Sequence, residues 1–128
     1  MFNTSGFFFG FTCLFLSEGK IVPPPNGTSL AFTPGSTGKI MWSFDDDIKS
    51  VGYRGWTFTP SDGRPEVRLA RIIDDGDVQL SATSYQYAVE KPATLVLKNV
   101  SLTYNGTYQF VLSQPGTSKS EVVVYIAV

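Results

Sequence analysis

The acidic side chains of the sequence include two short runs, Asp45-Asp46-Asp47 and Asp74-Asp75-Gly76-Asp77. Calcium takes several oxygen ligands, so either run is a candidate site for that ion. Neither has the spacing of a known calcium loop, and acidic loop tips are commonly just solvated. Glycosidases use paired carboxylates, but they need a cleft between rigid walls that a small domain seldom provides. We therefore predict no metal ligands and no catalytic carboxylates, with calcium as the open alternative.

Other catalytic chemistry is limited by the residue types that the chain lacks. Its 128 residues include no histidine and one cysteine, Cys13. A Ser-His-Asp triad, a Cys-His pair and a conventional zinc site are therefore excluded, and no glycine-rich phosphate loop is present. The 10 basic residues nearly balance the 11 acidic ones and form no basic stripe. We predict a protein that is not an enzyme, needs no cofactor and does not bind nucleic acid.

Residues 1–19 are predicted to be a signal peptide. The apolar run 7–16 has the length of a signal-peptide core and is too short to span a bilayer of about 30 Å. Ser17-Glu18-Gly19 places small residues where signal peptidase cuts, so cleavage is expected before Lys20. No basic residue precedes the run, which leaves a hydrophobic first strand as the alternative. The absence of period-2 alternation in the run argues against that strand.

Cleavage would leave one domain, residues 20–128, without any cysteine, because Cys13 departs with the signal peptide. Secreted domains of this size commonly depend on a disulfide, and this one cannot. No transmembrane helix or lipid-anchor signal follows Lys20, so the segment itself is not expected to insert into a membrane. The choice lies between a small secreted protein and the outer domain of a longer receptor. The sequence ends within a β-rich run, which favours a membrane-anchored parent at the cell surface.

Three sequons for N-glycosylation follow the predicted cleavage site and agree with export. They begin at Asn26, Asn99 and Asn105. The last two are expected at one corner of the domain, at the same end as the C-terminus. Sugars there would shield that end and leave the opposite end open.

The elements that position these residues are predicted to be short strands, since turn signals separate β-rich runs about every ten residues. The chain opens on an edge segment, and no helical period lasts beyond a turn or two. The predicted edge segment is 22–25, and the predicted strands are 39–44, 53–59, 66–73, 85–89, 94–98, 107–112 and 121–128.

The most specific pattern is Gly106-Thr107-Tyr108-Gln109-Phe110, which follows the alternating run 94–98 and a short corner. In an immunoglobulin sandwich, strand F begins Gly-x-Tyr-x-Cys, and the corner tyrosine bonds back to upstream backbone. Tyr108 is therefore the predicted corner tyrosine, and Phe110 stands at the cysteine position.

Counting backward from Phe110 places Trp42 at the strand-B cysteine position and Trp56 at the strand-C tryptophan. The cysteine–tryptophan–cysteine core would thus be replaced by aromatic residues, and Trp42, Trp56, Tyr108 and Phe110 are predicted to be structural core. The interval between Trp56 and Leu95 has room for strands C′, C″ and D. The predicted fold class is all-β: a V-set immunoglobulin-like two-sheet sandwich lacking the B–F inter-sheet disulfide.

On these residues the chain resembles the cysteine-free V-set domains at the outer ends of adhesion receptors. It is similar to those of the carcinoembryonic-antigen and SLAM-type receptors, and most similar to the allorecognition (Alr) receptors of colonial hydroids. The resemblance implies cell–cell recognition and, for the hydroid receptors, discrimination of self from non-self. Tyr104 departs from the pattern, because many V domains carry there an aspartate that pairs with an arginine.

Alternation also predicts a binding surface on the C-C′-F-G sheet. If Trp56, Phe110, Val67 and Leu69 point inward, their neighbours point outward. The predicted outward residues are Gly55, Thr57, Thr59, Glu66, Arg68, Ala70, Gln109, Val111 and Ser113.

The resemblance implies that this face binds a like domain on an opposing cell, in a homophilic, two-fold pairing that brings Glu66 of one copy near Arg68 of the other. The predicted function is therefore extracellular adhesion or recognition. The alternatives are an ordinary solvated face, and a soluble or receptor-borne module that binds an unrelated protein or a glycan.

Overall fold

The computed structural model describes residues 21–81, 86–113 and 116–127, and within these ranges the chain forms strands and two short 3-10 helices. The predicted signal peptide, Cys13 and the cleavage site lie outside the described residues. The strands, in chain order, are β1 (Ile21–Val22), β2 (Ser29–Phe32), β3 (Gly38–Met41), β4 (Ser43–Phe44), β5 (Tyr53–Pro60), β6 (Val67–Ile73), β7 (Gln79–Leu80), β8 (Tyr87–Glu90), β9 (Thr94–Leu97), β10 (Gly106–Ser113) and β11 (Thr117–Ile126). The 3-10 helices are Ile48–Ser50 and Leu102–Tyr104. No helix among the described residues has the length and apolar character needed to cross a bilayer.

The strands form two packed layers, which confirms the predicted all-β sandwich. The larger sheet has the order β2-β11-β10-β5-β6-β7, and the smaller has the order β3-β9-β8. A separate two-stranded ladder joins β1 to β4. All pairings are antiparallel except that of β2 with β11, which is parallel.

Period-2 alternation explains which side chains reach the core between the sheets. In β10 every even-numbered residue is buried and every odd-numbered residue is partly exposed. In β3 the buried Ile40 alternates with the exposed Lys39 and Met41, as the sequence predicts. The interior is therefore filled by one face of each sheet, and the opposite face of the six-stranded sheet is left to solvent.

The predicted strand 39–44 is divided in the structure at Trp42. Residues before Trp42 pair with β9, and residues after it pair with β1. The chain thus changes partner within one run of alternating residues, which periodicity alone does not reveal. The strands β2 and β7 also lie outside the predicted ranges, because each is short and lies at an edge of the larger sheet.

The corner before β10 is held by hydrogen bonds from two tyrosines. The hydroxyl of the buried Tyr108 donates to the carbonyl oxygen of Tyr104 at 2.8 Å, which is the bond expected of a corner tyrosine. The hydroxyl of Tyr104 lies 2.7 Å from the carbonyl oxygen of Lys98. Tyr104 is itself buried, so at this corner a tyrosine takes the place of the aspartate that the resemblance would put here.

Candidate functional site

An aromatic cluster connects the two sheets where the usual disulfide would lie. The ring of Phe110, on β10, lies 5.6 Å from that of Trp42 and 5.1 Å from that of Trp56, between centroids. Phe44 extends the cluster at 6.5 Å from Phe110. Trp42, Trp56 and Phe110 are at most 2% exposed, so they are core side chains and not a ligand cage. Ring pairs of this kind add about 0.5–1.5 kcal/mol each beyond the area they bury.

The two indole groups of this cluster differ in their hydrogen bonds. Trp42 donates from Nε1 to the hydroxyl of Ser120 at 3.0 Å, which joins the chain just after β3 to β11. Trp56 Nε1 is buried without a hydrogen-bond partner. A buried donor without a partner carries a desolvation cost of about 1–3 kcal/mol, so aromatic packing at Trp56 has to offset that cost.

The solvent-facing side of the six-stranded sheet, hereafter the outer face, is ordered in rows set by the strand register. The residues of each row lie side by side across β6, β5, β10 and β11. From one end to the other, the rows are Ile73-Tyr53-Ser113-Thr117, Arg71-Gly55-Val111-Lys119, Arg68-Thr57-Gln109-Glu121 and, without a β6 member, Thr59-Thr107-Val123. Seven of the nine predicted face residues lie in these rows, and the other two are Glu66 and Ala70.

Gly55 lies on the outer face but is covered by its neighbour Tyr53. A Cβ atom at Gly55 would lie 2.5 Å from the Tyr53 hydroxyl and 2.8 Å from its ring, so the tyrosine ring occupies the space above the glycine. Polar pairs flank this spot: Gln109 donates to Glu121 at 3.2 Å, and Arg71 donates to Gln79 at 3.0 Å.

The prediction that Ala70 faces outward is wrong. Ala70 is fully buried opposite Trp56, while the next register pair joins Thr57 to Arg68. Leu69 is therefore skipped by a β-bulge, which shifts the alternation of β6 by one residue. Leu69 stays buried as predicted, but Val67 is 39% exposed at the sheet edge.

Glu66 and Arg68 flank Val67 and are both exposed. Glu66 precedes the first residue of β6, so it lies in the connection and not in the predicted strand. Within the described part of the chain, neither side chain forms an ion pair or a hydrogen bond with another side chain. They are thus two opposite charges at the edge of the outer face with their charged groups in solvent.

A buried arginine, which the sequence pattern did not reveal, lies at the end of the sandwich opposite the tyrosine corner. Arg54 is fully buried on the inner side of β5 and donates to Asp75 Oδ1 at 2.7 Å and to the carbonyl oxygen of Pro92 at 2.8 Å. Its guanidinium also lies 5.8 Å from the Phe44 ring centroid. The hydrogen bond from Arg54, followed by that from Lys91, holds the pKa of the Asp75 carboxyl below its ordinary value.

Both acidic runs use carboxylate oxygens within the fold. Asp75 binds Arg54 and lies 3.3 Å from Lys91 Nζ. Asp47 caps the first 3-10 helix by accepting a hydrogen bond from the backbone nitrogen of Lys49 at 3.1 Å. Among the residues that the structure describes, no cluster of three or more acidic or cysteine side chains could hold a metal ion.

The three sequon asparagines lie in turns or at the tyrosine corner. Asn26 and Asn99 are exposed, and Asn105 is partly buried. The side-chain oxygen of Asn105 accepts a hydrogen bond from the backbone nitrogen of Ile126 at 2.6 Å. This contact brings the corner next to the C-terminal end of β11, in the position that the sequence predicts.

A pocket of about 610 Å³ opens beside the tyrosine corner, between the edge of β6 and the smaller sheet. We call it the corner pocket. Phe58, Leu69 and Tyr87 supply apolar walls, and Arg64 and Asn99 are among its polar lining residues. Burial raises the pKa of the Tyr87 hydroxyl, and it raises that of Tyr108 further. Sequence reasoning missed this pocket because its walls come from segments far apart in the chain.

No protein-family model and no curated protein matches the chain. A solved structure from photo-crosslinking analyses of multimeric cell-adhesive interactions of VGSC beta subunits superposes with a TM-score of 0.64 and 14% identity. The match covers 78% of this chain and 91% of that chain. The chain has an immunoglobulin-like fold. Because 1249 solved chains match this immunoglobulin-like domain, the likeness identifies a widespread fold and not one activity.

Proposed function

We propose that this immunoglobulin-like domain is an extracellular adhesion and recognition module that binds a like domain on an opposing cell through its outer face. The proposal includes a V-set assignment, to which the parallel β2–β11 pairing and the strands β6 and β7 beside β5 lend support. It also includes export by the segment 1–19 and a membrane-anchored parent protein. As in the hydroid receptors that the sequence resembles, the recognition would separate self from non-self.

The structural neighbour supports the adhesive part of this proposal. That protein takes part in multimeric cell-adhesive interactions, and this chain shares its fold. The absence of histidine and the lack of a metal cluster among the described residues leave binding as the activity that the side chains favour. On the central strands β5 and β10, the outward residues Gly55, Thr57, Thr59, Thr107, Gln109 and Val111 are glycine or short to medium side chains, so another sheet could approach the outer face closely.

The observation that carries the homophilic proposal is the exposed pair Glu66 and Arg68. A two-fold axis lying across the strands, between the row of Thr57 and that of Thr59, would invert the order of the rows. Arg68 of each copy would then face Glu66 of the other, because the two residues lie on either side of that axis. The arrangement is isologous, so the contact between Arg68 and Glu66 occurs twice, once on each side of the two-fold axis.

The same axis gives compatible contacts along the rest of the face. Thr57 would face Thr59 of the second copy, and Gln109 would face Thr107. No like charges meet in these rows. The charge pairs are exposed before pairing, so we expect them to set the register and the partner more than the affinity. Weak pairing of single copies would become firm attachment when many copies on two surfaces engage together.

Bead clustering with charge-reversed variants tests this function. Beads coated with the domain should cluster, and beads coated with Glu66→Arg or with Arg68→Glu alone should not. A mixture of the two variant beads should cluster again, since each facing pair then combines opposite charges. Lys98→Glu is the matched control: it reverses a charge at the corner, off the outer face, and should leave clustering intact.

The result of the mixture also separates the rival function. If the domain instead binds an unrelated protein or a glycan, wild-type beads should not cluster at any coating density. Clustering that survives both single reversals would contradict the register proposed for Glu66 and Arg68. Clustering restored only in the mixture would establish direct pairing of the two side chains.

A further inference from the structure

We propose that the corner pocket holds the first N-acetylglucosamine of an N-linked glycan carried by Asn99. The site rests on the export that is part of the proposed function, because N-glycans are added in the secretory pathway. The proposed occupant is therefore part of the chain itself, because it is attached covalently to a residue that lines the pocket.

The size of the pocket is compatible with a ligand. A volume of about 610 Å³ falls within the range of roughly 300–1,000 Å³ that small-molecule sites occupy. The pocket is built from fixed elements: Phe58 lies on β5, Leu69 on β6 and Tyr87 on β8. The ladders of both sheets hold the backbone of these strands, and the remaining lining residues come from the turn before β6 and from the tyrosine corner.

The lining combines the two kinds of surface that a pyranose ring presents. The rings of Phe58 and Tyr87 offer apolar surface to the C–H groups of a sugar. Polar side chains also line the pocket: the Ser101 and Thr103 hydroxyls lie 2.9 Å apart, and Gln86 Oε1 accepts a hydrogen bond from the Tyr104 hydroxyl at 2.8 Å. The hydroxyl oxygens of Ser101 and Thr103 keep acceptor capacity for the hydroxyl groups and acetamide of a sugar. Apolar walls left open to water are unfavourable, so a sugar that covers them would stabilise the domain.

Asn99 lies where such a sugar would have to be attached. It is exposed, lines the pocket and is followed by Val100-Ser101, which completes the sequon. Its backbone is in the left-handed region at φ 47°, a conformation that asparagine tolerates better than most residues. The tether makes the sugar intramolecular, so a modest contact suffices to keep it in place.

Arg64 lines the pocket and hydrogen-bonds to two neighbouring segments. Its Nη2 donates to the carbonyl oxygen of Thr103 at 2.7 Å, and its Nε donates to both carboxylate oxygens of Asp62 at 2.9 Å. The first bond joins the turn between β5 and β6 to the tyrosine corner. Two segments that line the pocket, the turn and the corner, are thereby joined to each other.

The covalent step is the ordinary transfer from a lipid-diphosphate oligosaccharide donor. A bond forms between Asn99 Nδ2 and C1 of the first N-acetylglucosamine, while the C1–oxygen bond to the diphosphate breaks. The lipid diphosphate leaves with the bonding electron pair, and one amide proton passes to solvent. No oxidant or reductant is involved.

The test uses the full chain secreted from glycosylating cells, in two matched forms. Of the three sequons that follow the predicted cleavage site, Thr28→Ala with Thr107→Ala leaves only that of Asn99, and Ser101→Ala with Thr107→Ala leaves only that of Asn26. Each form is trimmed to one sugar by an endoglycosidase and then stripped by an amidase. Melting temperature and nuclear Overhauser contacts between the acetyl methyl group and the Tyr87 ring are measured at each stage.

The Asn99-only form should keep its melting temperature after trimming and lose several degrees on stripping, and the single sugar should show contacts to Tyr87. The Asn26-only form should change at neither stage. Val67→Trp, which fills the mouth of the pocket, should abolish both the contacts and the loss on stripping. That variant separates pocket occupancy from the change of Asn99 to aspartate that the amidase causes.

An attached sugar without contacts to Tyr87, or a melting temperature unchanged by stripping, would overturn the inference. In the wild-type chain, glycans at Asn26 and Asn105 with none at Asn99 would also overturn the inference while leaving export intact. A chain that is not exported and carries no sugar would instead refute the export on which both proposals depend. The bead-clustering assay tests binding through the outer face, and its result does not depend on any of these outcomes.

Discussion

Phe110 stacks against Trp42 with 5.6 Å between ring centroids and 28° between ring planes, joining β10 of the larger sheet to the chain between β3 and β4. This contact spans the space that an inter-sheet disulfide commonly bridges in immunoglobulin domains. Loss of such a disulfide typically costs about 2–5 kcal/mol. The rings of Trp56 and Phe44 also pack on Phe110, so one side chain contacts three aromatic partners.

Replacing Phe110 by alanine is expected to destabilise the domain severely. The change removes a fully buried ring and leaves a cavity between the sheets, for which about 3–5 kcal/mol is typical. Urea unfolding followed by tryptophan fluorescence would measure the loss. Phe110→Leu is the control and should cost less, because it keeps part of the volume. An unchanged urea midpoint for Phe110→Ala would refute the role assigned to the ring.

The ion pair of Arg54 and Asp75 is expected to respond unequally to the loss of either partner. Asp75→Asn leaves a fully buried guanidinium without a neutralising charge, whereas Arg54→Met leaves a partly exposed carboxylate that water and Lys91 can solvate. Urea midpoints should therefore fall further for Asp75→Asn. The double variant should resemble Arg54→Met alone. Equal losses of stability in the two single variants would show that the role of Asp75 is not to neutralise the buried charge of Arg54.

The same pair predicts how stability depends on pH. The pKa of Asp75 is lower in the folded chain than its value of about 3.9 in an unfolded one. Its contribution is therefore complete above the unfolded pKa and is lost as pH falls through the folded pKa. The difference in urea midpoint between wild type and Asp75→Asn should be largest near neutral pH and shrink below about pH 4. A difference that stays constant down to pH 2 would contradict the assignment.

The β-bulge in β6 is expected to make neighbouring positions differ sharply. Ala70→Glu would put a carboxylate into the core against Trp56, whereas Arg71→Glu changes a side chain on the outer face. The first variant should fail to fold or melt far below wild type, because an unpaired buried charge is costly. The second should melt close to wild type. The melting temperatures of both variants can be measured by circular dichroism. Similar melting temperatures would indicate that Ala70 faces outward after all.

The sequence predicted those parts of the fold that depend on local pattern. Alternation and the Gly-x-Tyr spacing were enough to place Tyr108 and Phe110 on the inner side of β10, since neither depends on a partner strand. Ala70 was misplaced because a bulge breaks the alternation without any glycine or proline to mark it. The contact of Arg54 with Asp75 was missed for a different reason: it joins β5 to a loop beyond β6, and only the folded chain brings them together.

The candidate site also has a part that the sequence could predict and a part that it could not. Thr57, Gln109 and Val111 could be assigned to the outer face because they alternate with buried aromatic residues. The corner pocket could not be predicted, because Asn99 and Leu69 approach each other only when the two sheets pack. Sequence therefore predicts the faces of single strands well, and the spaces between elements poorly.

Sedimentation equilibrium of the purified domain tests the central claim, homophilic pairing through the outer face, most directly. Wild type should show a reversible monomer–dimer equilibrium, whereas Glu66→Arg and Arg68→Glu alone should remain monomeric. The two variants mixed in equal amounts should again form dimers. Wild type that stays monomeric at the highest accessible concentration, or variants that dimerise as well as wild type, would contradict the account.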